Sequence, residues 1–204
     1  MRFLSRNIYF IIAAILFPAI FLFAGCSDDS ELRAKEDEAI LKHLADLQYK
    51  EGDYTVTEGV YRVITKNFFD DIEDTTYVPP VVSEGDEVAL IFAIYTFSGS
   101  TPLPDNLIYT NDKSLINENI NPEYWPEGPI YVTVGNEDII RGIDVSLPGC
   151  ILGDTALIIV PSRMAYGKAE IGIVGSDTML YCIIMVTSIN DENLFEGEED
   201  NIAE

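Results

Sequence analysis

The chain predicts an α+β domain: an antiparallel sheet with one short helix packed across it, preceded by an N-terminal helix. Three observations carry that prediction. After residue 54 the segments run strand, strand, short strand, strand, helix, strand, strand, and one helix inside a run of strands fits an antiparallel sheet better than repeated βαβ units. Val88 to Phe97 (VALIFAIYTF) is apolar on both sides of the strand alternation and rich in aromatics, which places it centrally. Ile139 to Gly167 reads as a helix, a turn and a strand in 29 residues and ends on a tyrosine turn.

Residues 1–25 stand apart from the fold. Arg2 and Arg6 form a positive start, Ile8 to Phe23 is an almost unbroken apolar run, and Phe23-Ala24-Gly25 sets small residues before Cys26, the layout of a targeting segment. The stretch resembles the lipobox of bacterial lipoproteins. That resemblance implies cleavage before Cys26, lipidation of its sulfur and new amino terminus, and a place in the bacterial cell envelope. Several acyl chains hold a protein on a membrane where one gives only marginal binding. Ser27-Asp28-Asp29 resembles the acidic export tag of surface-exposed lipoproteins in some Gram-negative lineages, so the outer membrane is the expected site, facing the periplasm or the outside. An uncleaved anchor and an ordinary signal peptide are the alternatives.

Without that segment 179 residues remain, enough for one compact domain and a small appendage. The full chain carries 12 basic and 35 acidic residues, a formal charge of −23; loss of Arg2 and Arg6 leaves 10 against 35, or −25. No basic patch survives that balance, which argues against nucleic acid as a partner, because such binding works by neutralising phosphates. Solubility and mutual repulsion at a cell surface account for the acidity. Once Cys26 is acylated only Cys150 and Cys182 are left, at a spacing that matches no metal motif. An extracytoplasmic place permits a disulfide between them, but two buried free thiols are the expectation. His43, the only histidine, is expected in solvent on a helix. A histidine-based zinc site or a Ser-His-Asp triad would have to rest on it alone, so no metal or cofactor is expected.

The elements follow in order. Residues 26–53 form an acidic linker and a helix over about 30–48, with Ser30 as its cap, Ile40, Leu41, Leu44 and Leu47 on one stripe, and Gly52-Asp53 closing it. The domain proper spans 54–189. Residues 54–65 alternate as a half-buried strand, 67–82 form an acidic loop around Pro79-Pro80, and Gly85-Asp86 turns into the central strand. Five prolines between 98 and 129 leave room for one short strand at Leu107-Ile108-Tyr109. A loop over about 111–128 follows it, long enough to be functional or an insertion, with Trp125 read as an aromatic plug. Ile130 to Val134 is the next strand. Ile139, Ile140 and Ile143 share a helical face that Pro148-Gly149 ends, and the apolar run from Asp154 to Val160 is a buried strand stopped by Pro161. The turn Arg163 to Gly167 delivers Tyr166 to a rim, where a short apolar helix facing a buried strand makes the wall of a small pocket. A flexible loop carrying Ile171, Ile173 and Val174 leads to the last strand, Thr178 to Ser188, and residues 190–204 read as an acidic, disordered tail.

Several of these residues together resemble the FKBP-type prolyl isomerases over roughly residues 57–189. They are Gly85-Asp86 before the long strand, Ile139-Ile140-Arg141-Gly142 opening the helix, Gly153-Asp154 before the next strand, Val160-Pro161-Ser162, Ala165-Tyr166-Gly167 and Thr178-Met179-Leu180-Tyr181. The resemblance implies a twisted antiparallel sheet wrapped around one short helix, and an activity: rotation about X-Pro bonds of proline-containing polypeptides by a membrane-anchored folding helper. It places Tyr166, Ile140 and Phe92 in the catalytic positions and Ile130, Ile139, Ile143, Tyr181, Tyr109 and Ile173 along the substrate groove. The Tyr166 hydroxyl would stand at the rim, and the Ile140 backbone N–H would hold a substrate carbonyl near the helix N-terminus. Ile143 stands where the family carries a tryptophan, Ile108-Tyr109 where it carries Phe-Asp, and Phe92 where it carries a tyrosine. The alternative function is therefore a membrane-bound peptide-binding or chaperone module without turnover. Ordinary core packing is the competing reading for each aliphatic.

Overall fold

The computed structural model describes residues 26–71, 76–116 and 128–194. The expected signal segment, Trp125 and the tail beyond residue 194 lie outside the described residues. The chain forms two compact units, residues 1–38 and 39–204. Helix α1 (Cys26–Asp46) crosses their boundary. Within the first unit it carries the exposed pair Lys35–Glu31 at 2.7 Å, one turn apart. It begins four residues before the expected cap and ends early: Gln48 takes a left-handed φ of 69° and Tyr49 donates to the Leu44 carbonyl, so Gly52 is not its stop. Among the described residues no helix is long and apolar enough to cross a membrane.

The second unit is one antiparallel sheet. Its strands are β1 (Thr55–Thr57), β2 (Val60–Asn67), β3 (Glu87–Phe97), β4 (Leu107–Thr110), β5 (Ile130–Thr133), β6 (Asp154–Val160), β7 (Met179–Ile189) and β8 (Glu192–Asn193). The order across the sheet is β1-β2-β6-β7-β3-β4, with β5 also paired to β3 and β8 to β7. Helix α2 (Arg141–Asp144) is the short helix of the expected fold.

Three elements differ from the sequence expectation. The expected helical face of Ile139, Ile140 and Ile143 is not formed, because the helix starts only at Arg141 and Ile140 is its extended N-cap. The single strand over 54–65 is a hairpin, because Glu58 (φ 51°) and Gly59 (φ 84°) supply the two positive φ angles that a tight two-residue turn needs. The first tail residues are ordered, since Asn190 turns (φ 51°) and β8 pairs Asn193 with Ser188.

Burial on both faces explains the continuous apolar runs. On one face Leu90, Phe92 and Ile94 of β3, Ala156, Ile158 and Val160 of β6, and Leu180, Cys182 and Ile184 of β7 pack with Ile143 and Leu147. On the other, Tyr61, Val63, Phe97, Leu157, Ile159 and Tyr181 pack with Ile40 and Leu44 of α1. His43 is not in solvent. It is 3% exposed, edge-on to Phe97 at 5.1 Å and Tyr181 at 5.7 Å, because it shares the helical face of Ile40 and Leu44. Cys150 and Cys182 are both free and buried.

Candidate functional site

The core face of β3 sets the floor. Phe92 is buried, and its ring lies 5.2 Å from that of Tyr109 on neighbouring β4. Between the paired stretches of β4 and β5 the edge of β3 is held by two side chains: the Thr110 hydroxyl donates to the Phe92 carbonyl at 2.6 Å, and Asn111 does the rest. Asn111 Oδ1 accepts the Phe92 N–H at 2.7 Å, and its Nδ2 donates to the carbonyls of Leu90 and Gly128, each at 2.8 Å. A side-chain amide thus replaces the missing ladder and ties both ends of the long loop to the floor.

The opposite wall is the approach to α2. Ile140, extended at φ −47° and ψ 127°, caps the helix, and its carbonyl accepts the N–H groups of Ile143 at 2.8 Å and Asp144 at 3.1 Å. Its own N–H has no acceptor among the described residues. Ile130, Ile139 and Ile140 are half-buried against the core, and Ile143 is fully covered beneath them. Buried Asp144 fixes the connection from β5 by accepting the N–H groups of Gly135 at 2.9 Å and Glu137 at 3.1 Å. At Gly142 a Cβ would lie 2.2 Å from Val160 Cγ1, so only glycine lets the helix sit this close to β6. Arg62 of β2 closes the far end of the helix, donating to the carbonyls of Ser146 and Pro148 and to Cys150 Sγ. Burial pushes the Cys150 thiol up to about 11 despite this guanidinium, so it stays protonated at neutral pH.

The rim is the turn after β6. Met164 donates to the Pro161 carbonyl, Ala165 and Gly167 both donate to that of Ser162, and Gly167 adopts φ 58°. This tight turn projects Tyr166, half-buried against the core. Burial raises its phenol above the ordinary tyrosine range, with the Cys182 thiol and the Tyr109 phenol beside it adding to the shift. Tyr166 is therefore a neutral hydroxyl at neutral pH. Beyond it, Asp177 donates to the Gly167 carbonyl at 2.7 Å and closes a flap. Val174 is buried under that flap and Ile173 is 75% exposed on it.

The structure thus brings Phe92, Tyr109, Ile130, Ile139, Ile140, Ile143 and Tyr166 to one face of the sheet, with Ile173 outside the core on the flap. Tyr181 is a correction. Successive residues of β7 point to opposite faces; Leu180, Cys182 and Ile184 face the groove core, so Tyr181 lies on the far face with Phe97 at 5.9 Å and Tyr95 at 6.4 Å. Cys182 takes its place on the groove side, its thiol pushed up by burial. Counting alternate residues from Leu180 would have found this position. Asn111 carried no such signal, because an asparagine opening a loop is ordinary.

Residues 108–186 match the family described as FKBP-type peptidyl-prolyl cis-trans isomerase. No curated protein matches this sequence. Among solved structures, a peptidyl-prolyl cis-trans isomerase from Pseudomonas syringae pv. tomato is similar with a TM-score of 0.52 at 14% identity, covering 79% of this chain and 95% of that one. FkpA from Escherichia coli is similar with a TM-score of 0.52 at 14% identity, covering 92% of this chain and 71% of that one. At these identities the likeness is one of fold, and it agrees with the sheet and short helix described above. The matched segment runs from β4 through α2 and the Tyr166 turn into β7, so the likeness to the FKBP-type peptidyl-prolyl cis-trans isomerase family covers the part of the chain that builds the groove.

Proposed function

We propose that the chain catalyses cis-trans isomerisation of X-Pro bonds in polypeptides, as a folding helper held on the bacterial outer membrane by lipid on Cys26. The observation that carries the catalytic part is the convergence of half-buried Tyr109, Ile139, Ile140 and Tyr166 over the buried Phe92 and Ile143. Peptide-bond rotation faces a barrier of roughly 18–20 kcal/mol because the twisted state loses amide resonance, and X-Pro exchange is correspondingly slow. An apolar groove takes the imide out of water and can fit the twisted form better than the planar one. The free Ile140 N–H donates to a substrate carbonyl, and the neutral Tyr166 hydroxyl donates at the rim. No nucleophile is needed.

In a protease-coupled assay on a proline tetrapeptide the full chain should accelerate the slow phase; folded protein that leaves it at the buffer rate overturns the reading. One observation favours a second reading, a groove that holds peptide without turning it over: Phe92 and Ile143 are 2% and 0% exposed, so they shape the floor from beneath. Retained peptide binding without acceleration in the same assay selects it. The anchor has its own test. Metabolic fatty-acid label should be lost in Cys26→Ala protein, and persistent label removes the lipoprotein reading.

A further inference from the structure

The far face of the sheet holds a hollow of about 320 Å³, separate from the groove just described. Its floor is a row across three strands: Leu107 of β4 is registered with Tyr95 of β3, which is registered with Tyr181 of β7, and Ile183 stands next along β7 on the same face. Its walls are two short turns. In one, Asn106 donates its N–H to the Leu103 carbonyl while its Oδ1 accepts the Leu103 N–H, fixing Pro102 and Pro104; in the other, Asp112 takes the N–H groups of Ser114 and Leu115.

The chemistry of this hollow is specific. Ile183 is 41% exposed although it lies on a central strand, where the solvent face of an antiparallel sheet is ordinarily polar. Among the described residues no charged side chain lines the space; the hydroxyl-bearing residues Tyr95, Tyr181, Thr101 and Ser114 stand with an aliphatic and proline surface. That combination suits an uncharged peptide backbone with apolar side chains, and the volume is at the lower end of ligand pockets, roughly 300–1,000 Å³. The turns that wall it carry carboxylates, Asp105 and Asp112, which favour basic residues at the ends of whatever binds. A second copy of this chain, at −23, would meet that rim with repulsion.

We propose that this hollow is a second polypeptide-binding site, taking an extended client segment whose apolar side chains are flanked by lysine or arginine. It holds unfolded chain on the face opposite the prolyl groove, and it does not depend on turnover there. The probe is a fluorescein-labelled, proline-free peptide with leucines between lysine pairs, titrated into the full chain and followed by anisotropy. Ile183→Lys should weaken binding at least ten-fold while prolyl-tetrapeptide turnover, or peptide occupancy of the groove, stays at the wild-type value. Absence of binding to wild type, or equal binding to the variant, overturns the proposal. Displacement of the probe by a proline tetrapeptide overturns it too, because that places the probe in the groove. Sedimentation showing self-association that Ile183→Lys abolishes identifies a second copy as the occupant and likewise overturns it.

Discussion

Tyr166 reaches the groove because the turn from Pro161 to Gly167 is closed by three backbone hydrogen bonds, so its position is inherited from the backbone and survives loss of its hydroxyl. Tyr166→Phe should therefore lower turnover without changing KM or the melting temperature. One hydrogen bond of ordinary strength corresponds to about a two- to ten-fold loss. Unchanged turnover would remove the hydroxyl from the mechanism. His43 makes a second residue-scale prediction. Burial holds its imidazole below the usual histidine range, with the Asp46 carboxylate a smaller opposing influence. The unfolded chain binds a proton near pH 6.5 that the folded chain resists, so protons favour unfolding. Stability is then complete above about pH 6.5 and falls as the pH drops below it. Urea midpoints at neutral and mildly acid pH should show that loss in the wild type and a reduced loss in His43→Phe. Equal slopes in the two proteins would mean that His43 protonates without cost.

At the scale of elements, the strands whose sequence breaks are sharp were legible: Gly85-Asp86 enters β3, Pro161 ends β6, and both appear where expected. What the sequence hides is which face a residue takes when both faces are buried. In β7 Leu180, Tyr181 and Cys182 are all apolar enough for either side, so only the partner strands decide that Tyr181 leaves the groove. The Glu58-Gly59 hairpin was hidden for a related reason: a residue pattern that alternates smoothly through a two-residue turn looks like one strand. Of the groove, the turn that carries Tyr166 could be read from the chain, while Ile139 and Ile140 have a helical spacing but stand before the helix, and the parts set by long-range pairing (Asn111, Cys182) left no local signal. Asn111 belongs to this scale because it substitutes for a stretch of strand. Asn111→Ala would leave the Phe92 N–H without its acceptor in the core, a cost of about 1–3 kcal/mol for a buried group that water cannot reach. Hydrogen exchange should then speed up at Phe92 more than at Ile158 of β6. Uniform exchange across both strands would show that the asparagine merely adds global stability.

For the molecule as a whole, the sheet has two apolar faces and needs both covered. The groove side is closed by α2 and its flanking turns, and the far side by residues 39–46 of α1, whose Ile40 and Leu44 are 0% and 1% exposed against Tyr61, Ile159 and Tyr181. This part of α1 is therefore a component of the folding unit. Leu44→Ala removes apolar volume from a site with rigid neighbours on a central part of the sheet, for which about 2–5 kcal/mol is the usual loss. If helix and sheet fold together, the urea midpoint falls equally whether it is followed by far-ultraviolet circular dichroism or by the NMR ring resonances of Tyr61 and Tyr181 on the sheet. A helix that merely rests on the sheet gives a different pattern: its signal is lost early while the Tyr61 and Tyr181 resonances keep the wild-type midpoint. That outcome would separate α1 from the domain it covers. A shared midpoint makes the far face, and with it the hollow beside Tyr181, as stable as the groove on the other side.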